Sequence, residues 1–97
     1  MPTHKEEEEF LRDLTRLSRA QRSRFYTALY KMIDDLSAGR EIRPGLRVKG
    51  VQGHEGIFEM TWAPDGRATF CYGEPLAPGE TYIIWRRIGD HCILAQP

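Results

Sequence analysis

Apolar positions recur at helical spacing through the first third of the chain and at every second position after that. Phe10, Leu11, Leu14 and Leu17 form one stripe, the pattern of a helix turned toward a core. Thr3 with Glu6 three residues on has capping-box spacing, which predicts a helix starting at the N-terminus. The glutamates Glu6 to Glu9 suit the positive end of its dipole and read as a solvated helix start. Ser18 and Gln21 repeat the capping spacing. Phe25, Leu29, Met32, Ile33 and Leu36 then run as a second stripe to Gly39, the expected stop. Helices of about 13 and about 20 residues, joined by one short turn, predict an antiparallel helical hairpin. Tyr26 and Tyr30 are expected to be partly buried on it.

Beyond Pro44 the period changes to two. Leu46, Val48 and Gly50 alternate with Arg47, Lys49 and Val51, a short strand. Ile57 to Trp62 and Arg67 to Tyr72 are strands joined at Ala63-Pro64-Asp65-Gly66, a hairpin signal. After a Pro- and Gly-rich loop, the run Tyr82-Ile83-Ile84-Trp85-Arg86-Arg87-Ile88 is β-branched and aromatic, hence extended. The predicted fold is α+β, with an N-terminal helical hairpin packed on one face of an antiparallel sheet of about four strands. Residues 1–97 make a single domain. Phe58, Met60, Trp62, Ala68, Phe70 and Tyr72 are expected under the helices, with Glu59, Thr61, Arg67, Thr69 and Cys71 on the opposite face. In the last strand Ile84 and Ile88 are assigned to the helix side and Arg87 to the face of Arg67. The strand is expected to break at Gly89, and a bulge there would reverse the assignment.

Composition narrows the class. The chain carries 14 Lys and Arg against 14 Asp and Glu, which argues against a generic polyanion binder. With Lys5 and the four glutamates set aside, 13 bases and 10 acids remain, so a local basic patch is compatible with the total. Arg12, Arg16, Arg19, Arg22 and Arg24 cluster near the helix turn and read first as a solvated face. No apolar run approaches the length of a membrane span, and no signal peptide is visible. Cys71 and Cys92, without CxxC spacing, read as reduced thiols of a cytoplasmic protein.

Candidate chemistry gathers on the face opposite the helices. Arg67, Arg87, Lys49, His91 and Glu59 would form a basic cleft holding one titratable base. Such a set suits RNA cleavage by 2′-OH attack: a base takes the hydroxyl proton, arginines stabilise the dianionic transition state, and an acid protonates the leaving oxygen. No metal-ligand triad is apparent, so metal-free chemistry without a cofactor is expected. From spacing alone a lone histidine at a strand end, as His91 is, is more often a surface or loop-bracing residue, and Arg67 a cross-strand partner of Glu59.

The order of elements, with Gly45-Leu46-Arg47-Val48-Lys49, Asp65-Gly66-Arg67-Ala68-Thr69-Phe70 and Ile88-Gly89-Asp90-His91-Cys92-Ile93-Leu94, resembles the RelE/ParE toxin superfamily over nearly the whole chain. The resemblance implies a toxin of a type II toxin–antitoxin system, in the RelE branch a ribosome-dependent mRNA endoribonuclease. It implies mRNA on the ribosome and a cognate antitoxin as partners, and no membrane. Arg67 resembles the strand arginine that meets the scissile phosphate in RelE-like nucleases. Gly89-Asp90-His91 resembles the Gly-Thr-His ending of YafQ-type toxins, whose histidine is catalytic, and Asp65 falls near an aspartate those toxins use. Arg47 and Lys49 stand for the lysines of RelE's second strand. The resemblance thus implies catalytic roles for His91 and Arg67 and substrate-binding roles for Arg47, Lys49 and Asp65, to which the strand pattern adds Arg87 as a catalytic and Glu59 as a substrate-binding candidate. Two departures are visible: family members begin with a strand where this chain reads as helix, and RelE's C-terminal tyrosine is absent. The alternatives are a ParE-type toxin of DNA gyrase and a catalytically inert RelE-like binding module.

Overall fold

The computed structural model describes residues 3–97. It has two helices and a five-stranded mixed sheet, which corrects the expected four antiparallel strands. The chain opens with β1 (Thr3–Glu6), then α1 (Glu8–Thr15), α2 (Arg19–Ser37), β2 (Lys49–Gly50), β3 (Phe58–Ala63), β4 (Gly66–Gly73) and β5 (Tyr82–Asp90). Short 3-10 turns cover Pro44–Leu46 and His91–Ala95. The sheet order is β1-β5-β4-β3-β2.

The start is a strand rather than a helix. β1 runs parallel to β5, with Lys5 opposite Ile84 and Glu6 opposite Trp85, and the Glu7 N–H continues the pairing to the Trp85 carbonyl at 2.8 Å. β1 has no apolar alternation because backbone hydrogen bonds hold it in place. Its charged side chains suit an edge strand, which they protect from further pairing. No helix therefore starts at Thr3. α1 starts at Glu8, with Glu7 as an N-cap that makes no side-chain hydrogen bond, and is 8 residues long. The second start is as expected: Ser18 and Gln21 form a complete capping box.

Register defines the two faces, because side chains alternate along a strand. Met60, Ala68 and Ile88 lie in one cross-strand row, and Phe58, Phe70 and Trp85 in another. Both rows meet the helices. Trp85 is the hub of the core. Its ring contacts Phe10 of α1 at 5.9 Å, Phe25 of α2 at 5.3 Å and Phe70 of β4 at 5.2 Å between centroids. Met32, Met60, Ile83, Ile88 and Thr69 are also fully buried. Tyr26 and Tyr30, expected to be partly buried, are instead exposed.

The assignment of β5 needs correction. Thr69 pairs with Arg87 and Phe70 with Trp85, so Arg86 is an extra residue on β5, a β-bulge. The bulge brings Ile83, Trp85 and Ile88 all into the core. Ile84 lies opposite Cys71, on the face away from the helices and not toward them. β5 continues through Gly89 to Asp90 instead of ending at Gly89. The predicted strand from Leu46 to Val51 shrinks to Lys49–Gly50, because Leu46 closes the 3-10 turn and is buried.

Asp35 ties α2 to the following connector. Its buried carboxylate accepts from Arg43 Nε at 2.8 Å, Arg43 Nη2 at 2.9 Å, the Arg43 backbone N–H at 3.0 Å and Arg40 Nη2 at 3.1 Å. These bonds, those of the Arg43 side chain first, hold its pKa well below the usual carboxylate range.

Two outcomes test the fold. Trp85→Ala removes the hub of three ring contacts and should cost about 3–5 kcal/mol in urea unfolding, the usual range for an aromatic-to-alanine change in a core. The depressed pKa of Asp35 means that its contribution is present in full well above the ordinary aspartate value and is lost as pH falls through the folded one. The urea midpoint should therefore fall more steeply between about pH 5 and about pH 2 in the wild type than in Asp35→Asn.

Candidate functional site

β3 and β4 meet at the turn Ala63-Pro64-Asp65-Gly66, and this turn places two candidate residues. Gly66 is required by close approach: a Cβ there would lie 2.6 Å from the Trp62 ring. Asp65, at the tip, meets His91, the first residue of the terminal 3-10 turn. Their Oδ1 and Nδ1 atoms are 2.6 Å apart, and both side chains are largely exposed. An ionised carboxylate can only accept, so in the neutral imidazole Nδ1 carries the proton and Nε2 the lone pair. The hydrogen bond from His91, aided by the Arg67 charge, lowers the Asp65 pKa. The neighbouring Cys92 Sγ is 4.0 Å from Nε2. Asp90 caps the turn through Cys92 N–H at 2.8 Å and, by a side-chain hydrogen bond and then by its charge, pushes the Cys92 thiol up.

Arg67 follows the same turn. Its Nη1 donates to the carbonyls of Gly66 at 3.0 Å, Pro64 at 3.3 Å and Ala63 at 3.4 Å. The guanidinium is thereby anchored to the loop that carries Asp65. Arg67 lies opposite Gly89 and Thr61, on the face away from the helices. In the adjacent row Lys49, Glu59, Thr69 and Arg87 follow one another across four strands. The buried Glu59 carboxylate lies 3.9 Å from both Lys49 Nζ and Arg67 Nε, so it neutralises part of the cationic set.

Arg87 is held elsewhere. Its Nε donates to Asp13 Oδ2 at 2.6 Å and its Nη2 to Asp13 Oδ1 at 3.2 Å, while Asp13 also accepts the Ile88 backbone N–H at 3.2 Å. Arg87 Nη1 reaches the Gln96 carbonyl at 3.2 Å, and its pKa is raised chiefly by the Asp13 bonds. The expected grouping of Arg87 with Arg67 and His91 as free cations therefore does not form: Arg87 shares their face by register but its guanidinium is bound to α1.

An open cleft of about 510 Å³ lies along the unpaired edge of β3, where β2 has ended. It is lined by Arg24 and Lys31 of α2, Arg47 from the connector, and Thr61, Trp62 and Arg67 among others; no carboxylate is among its lining residues. Arg47 sits at φ 50°, in the left-handed region that costs a non-glycine residue about 1–2 kcal/mol. A second groove of about 580 Å³ lies on the other side of the hairpin turn and includes Asp65, Asp90 and Arg87. The two share Arg24, Trp62, Ala63 and Pro64. The hairpin turn is thus the wall between a cationic cleft and the groove that Asp65 lines; His91 lines neither.

The structure brings His91 to Asp65, and Arg67 to Glu59 and Lys49. It places Arg47 with Arg67 in the cleft and ties Arg87 to Asp13. Sequence reasoning missed Asp13, Lys31 and the cleft itself. Asp13 carried a signal, a carboxylate beside a helix's apolar stripe, but its partner is 74 residues away. Asp90, His91 and Cys92 also bring three ligand-type atoms within 4.8 Å of one another, although no metal-ligand triad was apparent from the sequence. Cys71 and Cys92 are free thiols, as expected. Among the described residues no helix is long and apolar enough to cross a membrane.

No family model matches the sequence, and no curated protein matches it significantly. Solved structures do match in fold. A mutant of YafQ from Escherichia coli superposes with a TM-score of 0.69 at 11% identity, covering 97% of this chain and 98% of that one. A copper-bound mutant toxin from Helicobacter pylori gives 0.64 at 16% identity, with 95% and 97% covered. RelE in the RelB–RelE antitoxin–toxin complex from Methanococcus jannaschii gives 0.60 at 14%, with 93% of each chain covered. The chain has the RelE-like fold.

The His91–Asp65 hydrogen bond makes a direct spectroscopic prediction. The neutral imidazole should be observed as the Nδ1–H tautomer by nitrogen-15 NMR, and Asp65→Asn should move it toward a tautomer mixture. An Nε2–H form in the wild type would contradict the assigned bond.

Proposed function

We propose that this chain is the toxin of a type II toxin–antitoxin module and an mRNA endoribonuclease acting on the ribosome, neutralised by a cognate antitoxin protein. The observation that carries this reading is the His91–Asp65 pair, 2.6 Å apart, standing beside an anchored Arg67 on a RelE-like fold. YafQ and RelE are toxins that share this fold, and both are found in complexes with antitoxins. Their low identity supports the fold, and the residues carry the chemistry.

In this reading RNA lies in the cleft lined by Arg24, Lys31, Arg47 and Arg67, whose charges meet successive phosphates. Trp62, at the shared wall, offers a ring face to a splayed base. The scissile phosphate sits over the hairpin turn. His91 Nε2 takes the proton from the 2′-OH, and Asp65 stabilises the imidazolium that results. The 2′-oxygen attacks the adjacent phosphorus. Arg67, prepositioned by three turn carbonyls, faces the negative charge that develops on the non-bridging oxygens, where preorganisation counts most. The P–O5′ bond breaks, leaving a 2′,3′-cyclic phosphate and a 5′-hydroxyl once the leaving oxygen gains a proton. Lys49 and Glu59 tune the field around Arg67. Arg87, bound to Asp13, acts as a structural brace in this scheme instead of a catalytic group. Neither a metal nor a cofactor enters the steps.

Expression without antitoxin should arrest growth, and His91→Ala or Arg67→Ala should relieve the arrest. In a ribosome-containing translation assay each variant should lose at least about 100-fold in mRNA cleavage, the typical weight of one acid–base group. Cleavage unchanged in His91→Ala, or wild-type protein that leaves mRNA ends intact, overturns the nuclease reading. Inhibition of gyrase supercoiling by the wild type and by His91→Ala alike would instead point to a ParE-type toxin.

A further inference from the structure

The start of the terminal 3-10 turn carries a donor set that the proposed cleavage chemistry uses only in part. Asp90, His91 and Cys92 each offer one ligand atom, all within 4.8 Å of one another, and all three side chains are exposed. We propose that these residues bind one divalent transition-metal ion of the zinc class, with Asp65 as the carboxylate that orients the histidine.

Three geometric facts support the site. The Cys92 Sγ and His91 Nε2 atoms are 4.0 Å apart. Donors on a tetrahedral zinc, with Zn–N of about 2.0 Å and Zn–S of about 2.3 Å, stand roughly 3.5 Å apart, so a small side-chain rotation closes the pair on an ion. His91 presents its lone pair on the correct nitrogen, because Nδ1–H is bound to Asp65 at 2.6 Å. A ligating histidine that gives its other N–H to a carboxylate is the usual outer arrangement of a metal site, and it fixes both tautomer and ring orientation. Asp90 is itself fixed beside the sulfur: its carboxylate accepts the Cys92 N–H at 2.8 Å and the Cys92 thiol, and the ion takes the place of the thiol proton.

Donor chemistry selects the class of metal. One sulfur, one imidazole nitrogen and one carboxylate oxygen suit a borderline cation and disfavour magnesium or calcium, which take oxygen sets. Three protein ligands leave a fourth position open to water or to a further ligand. The Cys92 thiol gives up its proton to solvent as the sulfur–metal bond forms, so binding releases acid. Occupancy also takes the Nε2 lone pair, so a bound ion and proton transfer by His91 exclude each other. Metal binding itself does not depend on the nuclease reading, and its test involves no RNA.

The experiment is a cobalt(II) titration of the metal-free, full-length chain, followed by zinc competition. The expected result is a thiolate-to-cobalt charge-transfer band that saturates at one equivalent and is displaced by zinc. Cys92→Ser should abolish the band, Asp65→Asn should weaken zinc binding by about 10- to 100-fold, and Cys71→Ser should change neither. A wild-type chain with no band overturns the proposal. So does a band that survives Cys92→Ser, one that is lost in Cys71→Ser, or one that saturates at half an equivalent, as an ion shared between two chains would.

Discussion

β5 must join four parts of the molecule at once, and the bulge at Arg86 is what allows it. The strand lies between β1 and β4, and its core face must fill the space under both helices. Strict alternation would send Trp85 and Ile88 to opposite sides of the sheet. The extra residue shifts the pleat by one, so that both enter the core. Trp85 then contacts an aromatic ring from each helix and from β4. Asp13 secures the join just past the last β1 pairing. It accepts the buried Ile88 N–H and clamps the Arg87 side chain. A carboxylate buried without those donors would be costly, so α1, β5 and Arg87 are fixed as a unit.

A zero net charge does not prevent a cationic cleft, because several acids are paired away from it, while Glu59 meets Arg67 from behind at 3.9 Å. Asp13 is spent on Arg87 and Asp35 on Arg40 and Arg43. Glu6 lies in β1 and pairs with His4 at 3.2 Å, and Glu7 to Glu9 surround the start of α1. The cleft beside β3 is left with Arg24, Lys31, Arg47 and Arg67 and no carboxylate among its lining residues. Local field is set by where each charge finds its partner, and the sum over the chain conceals it.

The helices and the β3–β4 hairpin were legible in the sequence because their signals are local. The Ser18–Gln21 capping box, the stripe from Phe25 to Met32 and the Pro64-Asp65-Gly66 turn all sit where expected. Three features depend on distant partners and were not legible. β1 is polar, and only pairing with β5 reveals it as a strand, so Thr3 and Glu6 looked like a helix cap. The bulge is visible only as a register shift between two strands. Arg87 looked like a free cation because Asp13, which holds it, is far away in the chain. The site was legible in the same measure. The turn residues Asp65 and Arg67 stood out with His91, whereas Lys31 belongs to a surface that forms only when α2 is laid along β3.

The hairpin turn couples the core to the site. Gly66 has no Cβ, which lets the Trp62 ring pack against its backbone. Trp62 in turn lies against the core cluster. That contact sets the path of Ala63 to Gly66, whose carbonyls anchor Arg67. The same path sets Asp65, which fixes His91. Two exposed residues on separate strand ends are thus held in register by a half-buried tryptophan and a glycine. Removing Cβ at one position is what allows a rigid loop tip in place of a mobile one, and rigidity of the supporting shell is what an acid–base pair requires. The geometry of His91 is therefore a property of the β3–β4 turn as much as of the strand that ends beside it.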